Sequence, residues 1–174
     1  LTSRYGAGGG ARMLSRQLYL CRQYAITNRA RVALLLPNNK AQVNNNSTFR
    51  MYCWTESSEG HGYSMRAGIV DSSNNFVSFV KNTKWDFMPS RVYIDDFTKI
   101  SNAANRPVTV AGVPFEDPLS GTSITASVSA IIFKPNGSLI TASDIGPLEV
   151  SNGTVKGTYR MTVNWLTGRT TYND

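Results

Sequence analysis

The stretch from Arg12 to Val32 constrains the fold more than any other. Within it Met13, Leu14, Leu18, Cys21 and Ala25 recur at helical spacing, with Tyr24 widening the stripe. One face of a helix is therefore apolar. Arg12, Arg16, Arg22 and Gln23 fall mainly off that stripe, where a solvated face would put them. Asn28 is read as the stop, because Asn tolerates the left-handed conformation that ends helices. Arg22, Arg29 and Arg31 suit the negative pole of the helix dipole. Val32 to Leu36 (Val-Ala-Leu-Leu-Leu) then reads as a short buried strand closed by Pro37. Residues 1–11 are too glycine-rich to favour an isolated helix. They become helical if a longer helix feeds into them from upstream.

Downstream the pattern turns to β. Phe49 to Thr55 alternates and reads as a strand returning against Val32–Leu36 after a polar connection, Asn38 to Thr48. Glu56 to Tyr63, which holds the sole histidine, His61, reads as an exposed loop. Arg66–Val70 and Asn75–Val80 are strands around the turn cluster Asp71-Ser72-Ser73-Asn74, and Arg91–Ile94 is another. Ile100 to Ser120, with Pro107, Pro114 and Pro118, reads as irregular. Ile124–Phe133 runs into Lys134-Pro135-Asn136-Gly137, a strong turn signal, and Ser138–Thr141 is its second arm. Val155–Trp165 alternates, Thr167-Gly168 turns the chain, and Arg169–Tyr172 follows. Eight to ten strands after one helix give an α+β class: an amino-terminal amphipathic helix packed on an antiparallel β-sheet or β-sandwich. At 174 residues one domain is expected, with the helix in 1–30 and the β region in 31–174.

Net charge is +7, and its placement matters more than its size. Acidic residues begin only at Glu56, whereas eight of the 18 basic residues lie in the first 50. Such a run is either a solvated helix face, as beside a membrane, or a surface for nucleic acid or an anionic membrane. Lys156 and Arg160 share a face of their strand by alternation, and with Arg169 they are the candidate DNA contacts. No apolar run reaches the roughly 18 residues that cross a bilayer. The chain begins at Leu1, not Met, so the natural amino terminus is expected upstream, with room there for a membrane segment.

Covalent chemistry finds little support. Cys21 and Cys53 are the only cysteines, with no CxxC and no Cys/His cluster, so no zinc site is expected; a disulfide between them and two free thiols are both open. A base needs an orienting partner, and nothing in the spacing gives His61 one. Asp95-Asp96 and Glu116-Asp117 are adjacent on strand-like segments, where neighbours point to opposite faces. No phosphate loop, nucleophile elbow or calcium loop is present. The expectation is no enzyme, no cofactor and no metal. Trp54, Trp85 and Trp165 are read as core packing in preference to stacking platforms for single strands.

Several motifs resemble one family in the right order. Leu14-x-x-x-Leu18-x-x-x-Arg22-x-x-Ala25-Ile26-x-x-x-x-x-Val32 is similar to the helix-to-strand passage of H-type minor pseudopilins of type II secretion, which FimT-like type IV minor pilins share. Met88-Pro89-Ser90-Arg91-Val92 resembles the family's Leu-Pro-x-Gly-Val step, with Arg91 in the glycine's place. Ile132 to Gly137 resembles its Phe-x-Pro-Asp/Asn-Gly hairpin, and Leu166-Thr167-Gly168-Arg169 its terminal Gly-Arg step. The resemblance implies a pilin-like fold, in which 1–30 is the carboxy-terminal half of the pilin helix. It implies a structural subunit of a periplasmic pseudopilus acting in assembly and protein export, anchored in the bacterial inner membrane through a preceding hydrophobic helix. Other pseudopilin or minor pilin subunits would be its partners, and Leu14, Leu18, Cys21 and Ala25 its helix packing face. A FimT-like subunit binding DNA for uptake is the alternative; here a single arginine follows Gly168, where DNA-binding relatives carry a second soon after. A soluble adhesin or carbohydrate-binding β-sandwich is the third reading.

Overall fold

A computed structural model describes residues 6–56, 59–153 and 157–173. The chain opens with helix α1, Ala7–Asn28. It contains no proline and no β-branched run, and its glycines Gly8 and Gly10 are buried in close packing. That packing offsets a propensity cost of roughly 1 kcal/mol per glycine. The helix includes Asn28, whose side chain donates to the Tyr24 carbonyl, and the left-handed cap is Arg29 (φ 50°). The expected stop is thus one residue early. Two of the arginines assigned to the helix pole bond elsewhere: Arg22 Nε donates to the Gly137 carbonyl, and Arg31 to Asn74 Oδ1.

After α1 come β1 (Val32–Leu36), a short helix α2 (Lys40–Asn45), β2 (Cys53–Glu56), β3 (Glu59–Gly62), β4 (Ser64–Val70), β5 (Phe76–Phe79) and β6 (Asp86–Phe87). Then follow β7 (Val92–Ile94), β8 (Val108–Glu116), β9 (Ser123–Phe133), β10 (Ile145–Asn152), β11 (Gly157–Val163) and β12 (Thr170–Asn173). Among the described residues the pairings between these strands are antiparallel, with one isolated parallel bridge from Asn75 to Ala111 of β8. One sheet runs β5-β4-β1-β9-β8 with β6 on β4; the other runs β12-β11-β10-β7-β3-β2. The class is α+β, with more strand than expected.

Strand β1 is buried at all five positions because both its faces are covered. Val32, Leu34 and Leu36 face a core holding Leu14, Leu18, Cys21 and Ala25 of α1 together with Val92, Leu148, Val150 and Met161 of the second sheet. Ala33 and Leu35 face a second core with Val43 of α2, Phe49, Cys53 and Phe115. The helix contacts β1, β4 and β9 of one sheet and β7, β10 and β11 of the other.

The expected pairing of Phe49–Thr55 with β1 is wrong. Phe49–Met51 is a single 3-10 turn, β2 pairs with β3 in the other sheet, and β1 lies between β4 and β9. The polar connection before it is partly helical, Asn39 capping α2 by accepting from the Gln42 amide. The span read as irregular contains β8, an edge strand whose register shifts between Val110 and Val113 around Gly112 (φ 77°). Pro114 is tolerated there because an edge strand can leave one side unpaired. The arm after the Pro-Asn-Gly turn is short, with Leu139 bridging back to Phe133.

Candidate functional site

Along α1, Leu14, Leu18 and Ala25 are wholly buried and Cys21 nearly so, while Tyr19 and Leu20 stay exposed. The stripe holds the helix to the β region; the opposite side is left to solvent with Arg12 and Arg16. At the amino end Gly8 lies against the Tyr159 ring and Gly10 against Val92 and Val150. Ser15 Oγ meets Thr170 Oγ1 at 2.6 Å, tying the middle of the helix to β12.

Of the candidate DNA residues, Arg160 is engaged in an ion pair. Arg160 is 3.1 Å from Glu149 on the neighbouring strand, as the register Glu149↔Arg160 dictates. Arg169 is exposed just before β12, and Lys156 lies outside the described residues.

His61 is not on an exposed loop. It sits on β3, buried, because Gly60 and Gly62 on either side let the strand press onto the backbone of Pro37 and Asn38. A Cβ on Gly62 would stand 2.7 Å from the Pro37 carbonyl oxygen. Alternation then turns the imidazole to the other face, where it stacks on Trp54 (ring centroids 4.4 Å, 31° between planes) and meets Tyr93 edge-on. Its Nδ1 is 3.4 Å from Asp95 Oδ1. Asp95 also accepts from Lys99 Nζ at 3.2 Å and from the Asp96 amide at 2.8 Å. Burial pushes the Asp95 carboxyl up, but His61, the Asp96 amide and Lys99 outweigh it and hold it down at about 2. Asp96 caps the next 3-10 turn, accepting from the Thr98 amide.

Beside this cluster lies an open cleft of about 740 Å³, walled by Trp54, Tyr63 and Tyr93, floored by Met88 and rimmed by Glu56 and Arg91. The turn that forms one rim closes with the Val92 amide donating to the Pro89 carbonyl at 3.0 Å, and Arg91 within it has φ 66°. Nothing in the Gly-His-Gly segment reads as strand locally, which is why the cleft and the His61–Asp95–Lys99 cluster escape sequence reasoning. The alternation of Tyr52 to Thr55, facing glycines at every second position from Gly60, is the signal that points to them.

Trp85 is half-buried against the second core, its ring 5.0 Å from that of Phe115, whereas Trp165 is exposed on the turn before β12. Cys21 and Cys53 are free and buried in different cores. Among the described residues no helix is long and apolar enough to cross a membrane, and no three His, Cys, Asp or Glu side chains gather as a metal site.

No curated protein and no solved structure matches the chain significantly. The family described as type II transport protein GspH matches residues 10–168, from the buried Gly10 of α1 through both sheets to the turn at Gly168. A match of that extent makes the chain a member of the GspH family.

Proposed function

We propose that this chain is the periplasmic part of a minor pseudopilin, a structural subunit of the type II secretion pseudopilus that acts in protein export by assembly. The family match across α1 and the β region carries the reading. In it α1 continues upstream into a hydrophobic helix in the inner membrane, and the buried stripe Leu14–Leu18–Cys21–Ala25 fixes the β region to that shaft. The exposed side of α1, with Arg16, Tyr19 and Leu20, meets neighbouring subunits. The work done is positional: apolar area removed from water at subunit contacts holds the filament together. The Arg160–Glu149 pair speaks against DNA uptake, since a neutralised arginine is a poor phosphate ligand. The helix stripe buried against strands speaks against a free-standing adhesin module.

The test is photo-crosslinking from position Tyr19 or Leu20 in the full-length protein in its own membrane, together with export in a strain lacking the gene. Crosslinks to pilin-like subunits and lost export of secreted cargo are expected. Normal export with no such crosslink would overturn the reading, as would the absence upstream of Leu1 of an encoded hydrophobic stretch of about 20 residues.

A further inference from the structure

We propose that the cleft between β2 and the turn before β7 binds a neutral oligosaccharide. This is independent of the role in secretion. Trp54, Tyr63 and Tyr93 wall the cleft, and its size falls within the range of small-ligand sites. Aromatic faces are electron-rich, and the C–H face of a pyranose ring presents weakly positive hydrogens to them. The indole of Trp54 is held in place by ring contacts with His61 and Tyr93. His61 stacks on it, Asp95 stands against His61, and Lys99 and the Asp96 amide fix Asp95. Such buried support pre-organises a platform and lowers the cost of binding.

The rim selects the class of ligand. Glu56 and Arg91 both line the cleft and are exposed. Carboxylate and guanidinium are planar and two-pronged, one accepting and the other donating, which suits neighbouring hydroxyl pairs. Their charges cancel, which favours a neutral polyol over an anion. On the β7 wall the backbone disfavours an added peptide strand: the Val92 amide is taken by Pro89, Ile94 is paired with Gly62, and Tyr93 is paired with Ser151 on β10. Recognition on that wall therefore falls to side chains.

Cellohexaose, maltohexaose and chitohexaose are the probes, titrated against the protein by tryptophan fluorescence and calorimetry. Saturable binding to at least one is expected, with a Kd between about 10 µM and 1 mM. Glu56→Gln, an exposed rim change that leaves the core untouched, weakens it about tenfold. Trp54→Ala removes the platform and abolishes it; should that variant fail to fold, Glu56→Gln decides alone. No saturable response to any of the three up to about 10 mM overturns the proposal. So does binding indifferent to Glu56→Gln. Preferential binding of an uncharged tryptophan-containing hexapeptide would also overturn it and assign the cleft to a protein partner.

Discussion

Gly10 of α1 approaches Val92 of β7 so closely that a Cβ on the glycine would stand 2.7 Å from Val92 Cγ1 and 2.9 Å from Val150 Cγ1. Two opposing effects meet there. Alanine is favoured over glycine in a helix by about 1 kcal/mol. Overpacking a filled core costs typically 1–3 kcal/mol, and β-branched valines cannot swing aside cheaply. Packing wins in the expected outcome: Gly10→Ala lowers stability by about 1–2 kcal/mol in urea unfolding. A more stable variant would show that the helix can lift from β7 without loss.

Arg91 occupies a left-handed position (φ 66°) in the four-residue turn closed by Val92 on Pro89. A turn with positive φ at its third residue favours glycine, the residue that the resembling family step carries there. The left-handed region costs a residue with a Cβ roughly 1–2 kcal/mol, part of which glycine returns through its larger unfolded entropy. Arg91→Gly is expected to be neutral to about 1 kcal/mol more stable. A clear loss in thermal or denaturant unfolding would mean that the arginine's side-chain contacts outweigh the backbone relief.

Local and long-range information were unequally legible in the sequence. The apolar stripe of α1, the continuous Val32–Leu36 run, the Asp71–Asn74 turn and the Pro-Asn-Gly turn are written in neighbouring residues, and each appears close to its expected place. The partners of β1 are not written locally. Leu34 sits opposite Ala67 and Ile131, far away in the chain, whereas the nearest alternating run, around Tyr52 to Thr55, joins the other sheet. Strands β8 and β10 carry Pro114 and Pro147, and β3 carries Gly60 and Gly62, residues that weaken a strand pattern. In β8 an edge position accommodates proline; in β3 a close backbone approach demands glycine. The cleft stands where two of these unread features meet, between β2–β3 and the Arg91 turn.

Asp95 gives the fold a defined acid sensitivity. Its folded value, about 2, lies below the ordinary unfolded value of about 3.9. Between the two the unfolded chain binds more protons, so stability falls as pH falls. The contribution is complete above about pH 5 and is lost as pH drops through about 2. Lys99 is partly exposed and therefore screened, so the size is on the order of 1–2 kcal/mol. Unfolding free energies measured from pH 6 to pH 2 should fall less steeply in Asp95→Asn. An identical slope in the two proteins would show that the carboxylate is not held as the geometry requires.

Both thiols are pushed up to about 12 by burial, Cys21 in the helix seam and Cys53 in the second core. Because the thiolate is the reactive species, neither should react with a thiol-directed disulfide reagent in the folded protein at pH 8. Unfolding should release two reactive thiols per chain, as two free cysteines in separate cores require. Release of none would reveal a disulfide and a different arrangement of the two cores.

DNA binding separates the pseudopilin reading from the DNA-uptake reading, and the charges here make a weak case for it. Arg160 is paired with Glu149, Arg22 with the Gly137 carbonyl and Arg31 with Asn74, so these arginines are already engaged. Arg169 is exposed at the turn before β12 but stands without a second arginine in the next two positions. Each phosphate contact releases counterions and adds roughly 0.9 to the slope of log affinity against log salt. With these arginines engaged the expected slope is shallow and the expected Kd for duplex DNA is about 10⁻⁴ to 10⁻⁶ M near physiological salt, the range of non-specific binding. Fluorescence anisotropy with a labelled duplex at several salt concentrations measures both quantities. Arg169→Ala should shift the affinity modestly and reduce the slope by no more than about one contact's worth. Nanomolar binding that collapses in Arg169→Ala would make DNA uptake the leading function, and the Arg160–Glu149 pair would then have to open on the bound duplex.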